Sequence, residues 1–177
     1  MTQLAVVAYP VLSVDDRRWI EDIRTRYDPT SSRLAAHFTL VFPTEVAEDA
    51  MLTHARNAVH SASAFPVLLR RAATVADAIR SGHHVFLLPE TGSAELLGLH
   101  ESLYDGVLAS HRRRDIPFVP HVTVAVCSQP GQCERIADRL NEERRIVDAT
   151  IHSVDVIEVS ESAVRTVAEI RLKSSTP

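Results

Sequence analysis

Short apolar, β-prone runs alternate with amphipathic helical stretches along the whole chain, and the same order occurs twice. Runs at residues 3–9, 35–42 and 65–75 enclose helical patterns at 13–27 and 48–62. Runs at 83–89, 120–127 and 150–160 enclose helical patterns at 93–113 and 131–144, and an alternating strand at 163–173 closes the chain. The strand readings rest on apolar, β-prone stretches, the first two stopped by Pro10 and Pro43. The helical readings rest on apolar residues three and four apart: Trp19, Ile20 and Ile23 behind Ser13 as N-cap, and Leu96, Leu99, Leu103 and Val107 in the second half. Each half is therefore strand–helix–strand–helix–strand. That order predicts an α+β fold: one bilobed domain of two pseudo-symmetric lobes, about 1–78 and 79–177, with a central cleft between antiparallel sheets. The tail at 174–177 is expected to fray.

The bulk numbers exclude several classes. A chain of 177 residues suits one domain, and 45% hydrophobic content is enough for a sizeable core. The net charge of -4 supplies no global basic field for a polyanion. Nearly all the cations are arginines, Lys173 being the only lysine. Cys127 and Cys133 match neither a zinc ribbon nor a CxxC redox pair, so two free thiols in a reducing cytosol are expected. The N-terminal stretch has no basic region leading into a longer apolar core, and no apolar run reaches membrane-spanning length. A cytoplasmic, monomeric protein with no membrane partner is the expectation.

Two short motifs carry the chemistry. "HFTL" at His37 and "HVTV" at His121 each hold a histidine, an apolar residue, a threonine and an apolar residue, and each falls on the second strand of its half. With 9 histidines in the chain, roughly 0.6 His-x-Thr triplets are expected by chance, and roughly 0.1 once both flanking residues must be apolar. Two such matches at equivalent positions of a repeated order therefore carry weight. Alternate strand residues share a face, so His37 and Thr39 point one way while Phe38 and Leu40 point to the core, and His121 and Thr123 divide from Val122 and Val124 likewise. Either histidine alone would be read as structural. The pair is read as one site.

Paired H-x-T-x motifs in a bilobed chain of this length, with Pro120 before the second histidine, resemble the 2H phosphoesterase superfamily. It includes 2′-5′ RNA ligase-like proteins and cyclic nucleotide phosphodiesterases. The resemblance implies two α+β lobes around a cleft and catalysis without metal or cofactor. It also implies a substrate that is an RNA end or a small nucleotide carrying a 2′,3′-cyclic phosphate or a 2′-5′ linkage.

The residues themselves suit that chemistry. Histidine titrates near neutrality, so one of His37 and His121 can take a proton from the attacking oxygen while the other gives one to the leaving oxygen. Thr39 and Thr123 can donate to non-bridging phosphate oxygens. A metal site would need a third ligand that neither motif strand supplies. Arg114, in "HRRRD", could steer a phosphate, and Phe118 and Tyr9 could stack on a base. A nucleotide- or RNA-end-binding protein that uses the same cleft without turnover is the alternative. In that case a nucleotide monophosphate binds through Thr39 while no phosphodiester is cleaved.

Overall fold

The computed structural model describes residues 3–77 and 82–174. The expected boundary between halves at 78 and 79, and residues 175–177 of the tail, lie outside the described residues. In chain order the elements are β1 (Gln3–Ala8), β2 (Val11–Leu12), α1 (Val14–Tyr27), β3 (Phe38–Thr44), α2 (Glu48–Val59), β4 (Phe65–Ala76) and β5 (His83–Thr91). There follow α3 (Ser93–Leu103), a 3₁₀ turn (Gly106–His111), β6 (Val122–Cys127), α4 (Pro130–Glu142), β7 (Val147–Ile151), β8 (Ser153–Val159) and β9 (Val164–Arg171).

Local chemistry accounts for the helix boundaries. Ser13 caps α1 as its sequence position suggests, its hydroxyl accepting from the Asp16 N–H at 3.1 Å. Asp15 and Asp16 complement the positive end of the helix dipole, and Arg24 and Arg26 the negative end. The helix expected over 93–113 breaks after Leu103. The Asp105-Gly106 pair turns the chain, with Gly106 at φ +54°, and Val107 is 52% exposed while Leu108 is buried. The single strand expected over 150–160 is two. β7 pairs with β4 and β8 with β1, so the chain crosses from one part of the sheet to another at His152. Cys127 and Cys133 are not free thiols: they form a disulfide that ties the end of β6 to the first turns of α4.

Among the described residues, all nine strands form one sheet in the order β2-β7-β4-β5-β6-β3-β1-β8-β9, and every adjacent pair is antiparallel. Strands from both halves of the sequence stand on both sides of the centre. The centre itself is the β3–β6 pair, joined at Phe38 opposite Val122. The helices cover one face, where Ile20, Ile23, Met51, Ala55, Leu96, Leu103, Ile136 and Leu140 pack with Phe38, Leu40, Val122 and Val124 in the main core. α1 lies against β6 and α3 chiefly against β3, so these two helices each pack mainly on a central strand of the other half. A small second cluster, Ala5, Val7 and Ile157, lies on the opposite face and contains no helix residue.

Candidate active site

His37 and His121 each stand one residue before a central strand, not inside it as expected. Phe38 and Val122, fully buried, anchor the two strands to the core, so the residues on either side of them turn to the other face. The partial exposure of His37, Thr39, His121 and Thr123 follows that alternation. The strands run antiparallel through Phe38 and Val122, so continuing the register by one residue sets His37 toward Thr123 and Thr39 toward His121. The two motifs are thus brought together on the helix-free face of one sheet.

The two rings are oriented in the same way. Nδ1 of His37 is 2.8 Å from the Ala35 carbonyl oxygen, and Nδ1 of His121 is 2.6 Å from that of Val119. A carbonyl oxygen only accepts, so in each ring Nδ1 carries the hydrogen and Nε2 is the nitrogen left for chemistry. Burial lowers the pKa of both imidazoles. For His121 the value falls to about 4, with the charges of His37 and His84 adding to the effect and the Val119 hydrogen bond opposing it. For His37, burial again dominates, the Ala35 hydrogen bond opposes it, and Arg24 lowers it further. Both rings are neutral at pH 7 in the free protein.

The segments that deliver the histidines are clamped from below. Arg24 is 1% exposed and ion-paired to Asp28 and Glu21 at 2.9 Å each, and its Nη2 donates to the Leu34 carbonyl at 2.7 Å. Glu21 in turn accepts from the Ala36 N–H, which leads directly into His37. On the other side the buried His100 donates from Nδ1 to the Leu40 carbonyl at 2.8 Å and stacks on Phe118 at 3.7 Å. The Phe42 N–H donates to the Tyr104 hydroxyl. His100 thus belongs to the scaffold and not to the exposed surface of α3.

Of the other sequence candidates, Tyr9 stands edge-on to His37 with ring centroids 6.2 Å apart. Phe118 has one ring face taken by His100 and packs on the main core. Arg114 is exposed, and no described contact ties it to either histidine; its neighbour Arg113 is paired to Asp115 at 2.7 Å. Three neighbours were missed. Phe86 stacks on His121 with centroids 3.5 Å apart and planes at 15°. His84 stacks on Phe86 and holds the Asp77 carboxylate at 3.0 Å through Nε2. The period-two spacing of His84 and Phe86 in "HHVFLLP" was the available signal. Asp155, set between Val154 and Val156 in the run "SVDVIEV", is the third. Among the described residues, no group of three or more His, Cys, Asp or Glu side chains forms a metal-binding set. Two surface depressions, one lined by Trp19, Leu69 and Arg145 and the other by Phe65, Pro66 and His152, touch none of the motif residues. Side-chain chemistry, not cavity shape, therefore locates the site. Among the described residues, no helix is long and apolar enough to cross a membrane.

The model of the 2′-5′ RNA ligase superfamily matches residues 11–163. A Bacillus licheniformis protein, named provisionally as a phosphoesterase, is 33% identical over 123 residues, 68% of each chain. E. coli LigT complexed with 3′-AMP has a similar fold, with a TM-score of 0.60, 18% identity, and coverage of 98% of this chain and 99% of the other. A Thermus thermophilus protein gives 0.64 at 18% identity, covering 98% of this chain and all of the other.

Proposed function

The chain belongs to the 2′-5′ RNA ligase superfamily, and from that premise we propose that it is a phosphoesterase that cleaves ribose-linked phosphodiesters with His37 and His121 as its acid–base pair. The observation that carries this reading is the matched pair of imidazoles on one sheet face, each with Nδ1 bound to the carbonyl two residues earlier and Nε2 free. Small 2′,3′-cyclic phosphates and RNA ends are the proposed substrates. The 3′-AMP bound by LigT is the nucleotide class that opening a 2′,3′-cyclic phosphate at its 2′ bond would produce.

In the proposed step, Nε2 of one histidine takes the proton of the attacking water. Nε2–H of the other protonates the ribose oxygen as its bond to phosphorus breaks. Thr39 and Thr123 donate hydroxyl hydrogen bonds to the non-bridging oxygens and hold the charge that builds there. The general acid must be protonated, whereas both rings are neutral in the free protein. The substrate resolves this: a phosphodiester anion lying between the rings favours one imidazolium, while repulsion between the rings disfavours two. Acid and base exchange roles with the direction in which the diester lies. We read the site as the midline of two related halves. The order β7-β4-β5-β6 on one flank is echoed by β9-β8-β1-β3 on the other, which supports a shared cleft.

The test is incubation of the protein in EDTA with nucleoside 2′,3′-cyclic phosphates and with RNA ending in one, products being separated by chromatography. Conversion to nucleoside monophosphate is expected. No turnover of either substrate contradicts the proposal.

A further inference from the structure

Five polar or charged side chains are buried among the described residues: Arg24, Asp28, Thr44, His100 and Asp155. Four of them have hydrogen-bond partners: Arg24 and Asp28 each other, Thr44 His111, and His100 a backbone carbonyl. Asp155 is 7% exposed and has no hydrogen-bond partner among the described residues. Its oxygens are not among the side-chain atoms that are sealed from solvent without a partner, which among the described residues are Thr74 Oγ1, His83 Nδ1 and His84 Nδ1, so the carboxylate opens onto the sheet face, where a ligand can supply the donor that the protein omits.

Its position gives the ligand's identity. Val7 is opposite Thr39 on one side and Asp155 on the other, and Asp155 is opposite Glu169. Residues directly opposite in antiparallel strands share a face, so Thr39, Val7, Asp155 and Glu169 form one row across the face that carries the histidines. Two strand spacings, about 10 Å, separate Asp155 from Thr39 along that row. Tyr9 lies on the same face, edge-on to His37, and burial and then the Asp155 charge raise its phenol. The other flank is built differently: Phe86 is opposite Thr123, and Ala73 is opposite Phe86 where the first flank has Asp155. Burial and then Glu169 raise the Asp155 carboxyl to about 6, so it is ionised at neutral pH.

A carboxylate repels phosphate, so whatever lies over Asp155 is a neutral, donor-rich part of the substrate. Guanine offers two adjacent donors on one edge, N1–H and the exocyclic amine, matching the two carboxylate oxygens. Uracil sets its single N–H between two carbonyls that the carboxylate repels. We infer that Asp155 reads the base of the bound nucleotide and selects guanine over uracil, with Tyr9 beside it. This rests on the nucleotide reading proposed above.

The test measures kcat/KM for the four nucleoside 2′,3′-cyclic phosphates with the wild-type protein and with Asp155→Asn, which keeps the volume and replaces one acceptor oxygen by a donor. The wild-type protein is expected to favour guanosine over uridine by about tenfold or more, the scale of one good bidentate base contact. In Asp155→Asn that ratio is expected to fall toward unity, with an unchanged circular-dichroism spectrum. The same four-base profile in both proteins, or no base preference in the wild type, overturns the inference. If no cyclic phosphate is turned over, the proposed function fails separately, and calorimetry with 3′-GMP and 3′-UMP reads the inference instead. Tighter 3′-GMP binding that Asp155→Asn abolishes supports it. Equal affinities, or no binding, overturn it.

Discussion

His37 and His121 are crowded enough to stay neutral at pH 7, which makes substrate charge part of the chemistry. Binding of a phosphodiester analogue should then take up protons. Calorimetry at pH 7 in buffers of different ionisation enthalpy measures that uptake, and His121→Ala should reduce it. The same shift has a consequence for stability. His121 titrates at about 4 when folded against 6.5 for the free side chain, so between those values the unfolded chain binds more protons and stability falls as pH drops through that window. Asp155 has the opposite sign. Its carboxyl is raised to about 6 from 3.8, so the folded chain binds more protons there, and stability falls as pH rises through that range. Asp155→Asn is therefore expected to raise the melting temperature at pH 8 and to steepen the loss of stability on acidification. Thermal melts from pH 4 to pH 8 check both. Removing one phosphate donor by Thr39→Ala or Thr123→Ala should lower kcat by about 10²-fold or more, the scale of a lost oxyanion-type donor.

At the scale of elements, α1 supports the first histidine through buried charge. Arg24→Ala leaves Asp28 buried without its cation and should cost about 3–5 kcal/mol in urea denaturation, the scale of breaking a buried pair from one side. It also frees the Leu34 carbonyl, so residual activity should fall as well. Ser13→Ala, a plain cap loss far from the site, should cost about 1 kcal/mol and leave kcat unchanged. Element type was largely legible because apolar periodicity and cap residues are local signals. Ser13, Pro10 and the stripe on α3 were readable for that reason. The misses have non-local causes. Nothing in the β-prone stretch around His152, which holds no glycine or proline, marks the point where the chain changes sheet partners. The break after Leu103 depended on Asp105-Gly106 outweighing a helical stripe that ran on to Val107. The Cys127–Cys133 bond depends on how β6 meets α4, which spacing alone does not report.

Across the whole molecule, the candidate site is where sequence repetition and sheet topology meet. The two motifs are 84 residues apart, and their strands become neighbours at the sheet's centre through one pair, Phe38 and Val122. The pair of motifs was legible because period-two alternation places His and Thr on one face of any strand. The rest of the site was not, because Phe86, His84 and Asp155 reach it by register across three further strands, and register is a property of the assembled sheet. Arg114 and Phe118 stand out in the sequence by nearness to the second motif. Phe118 instead packs on His100, and Arg114 has no described contact with the histidines. The central claim is that two histidines act as one unit. The direct measurement is kcat/KM on a nucleoside 2′,3′-cyclic phosphate in EDTA for the wild-type protein, His37→Ala, His121→Ala and the double variant. Each single substitution should cost about 10²–10⁴-fold, and the double variant little more than either single one, because members of a catalytic unit are not additive. Wild-type-like turnover by either single variant, or losses that multiply in the double variant, would contradict the claim.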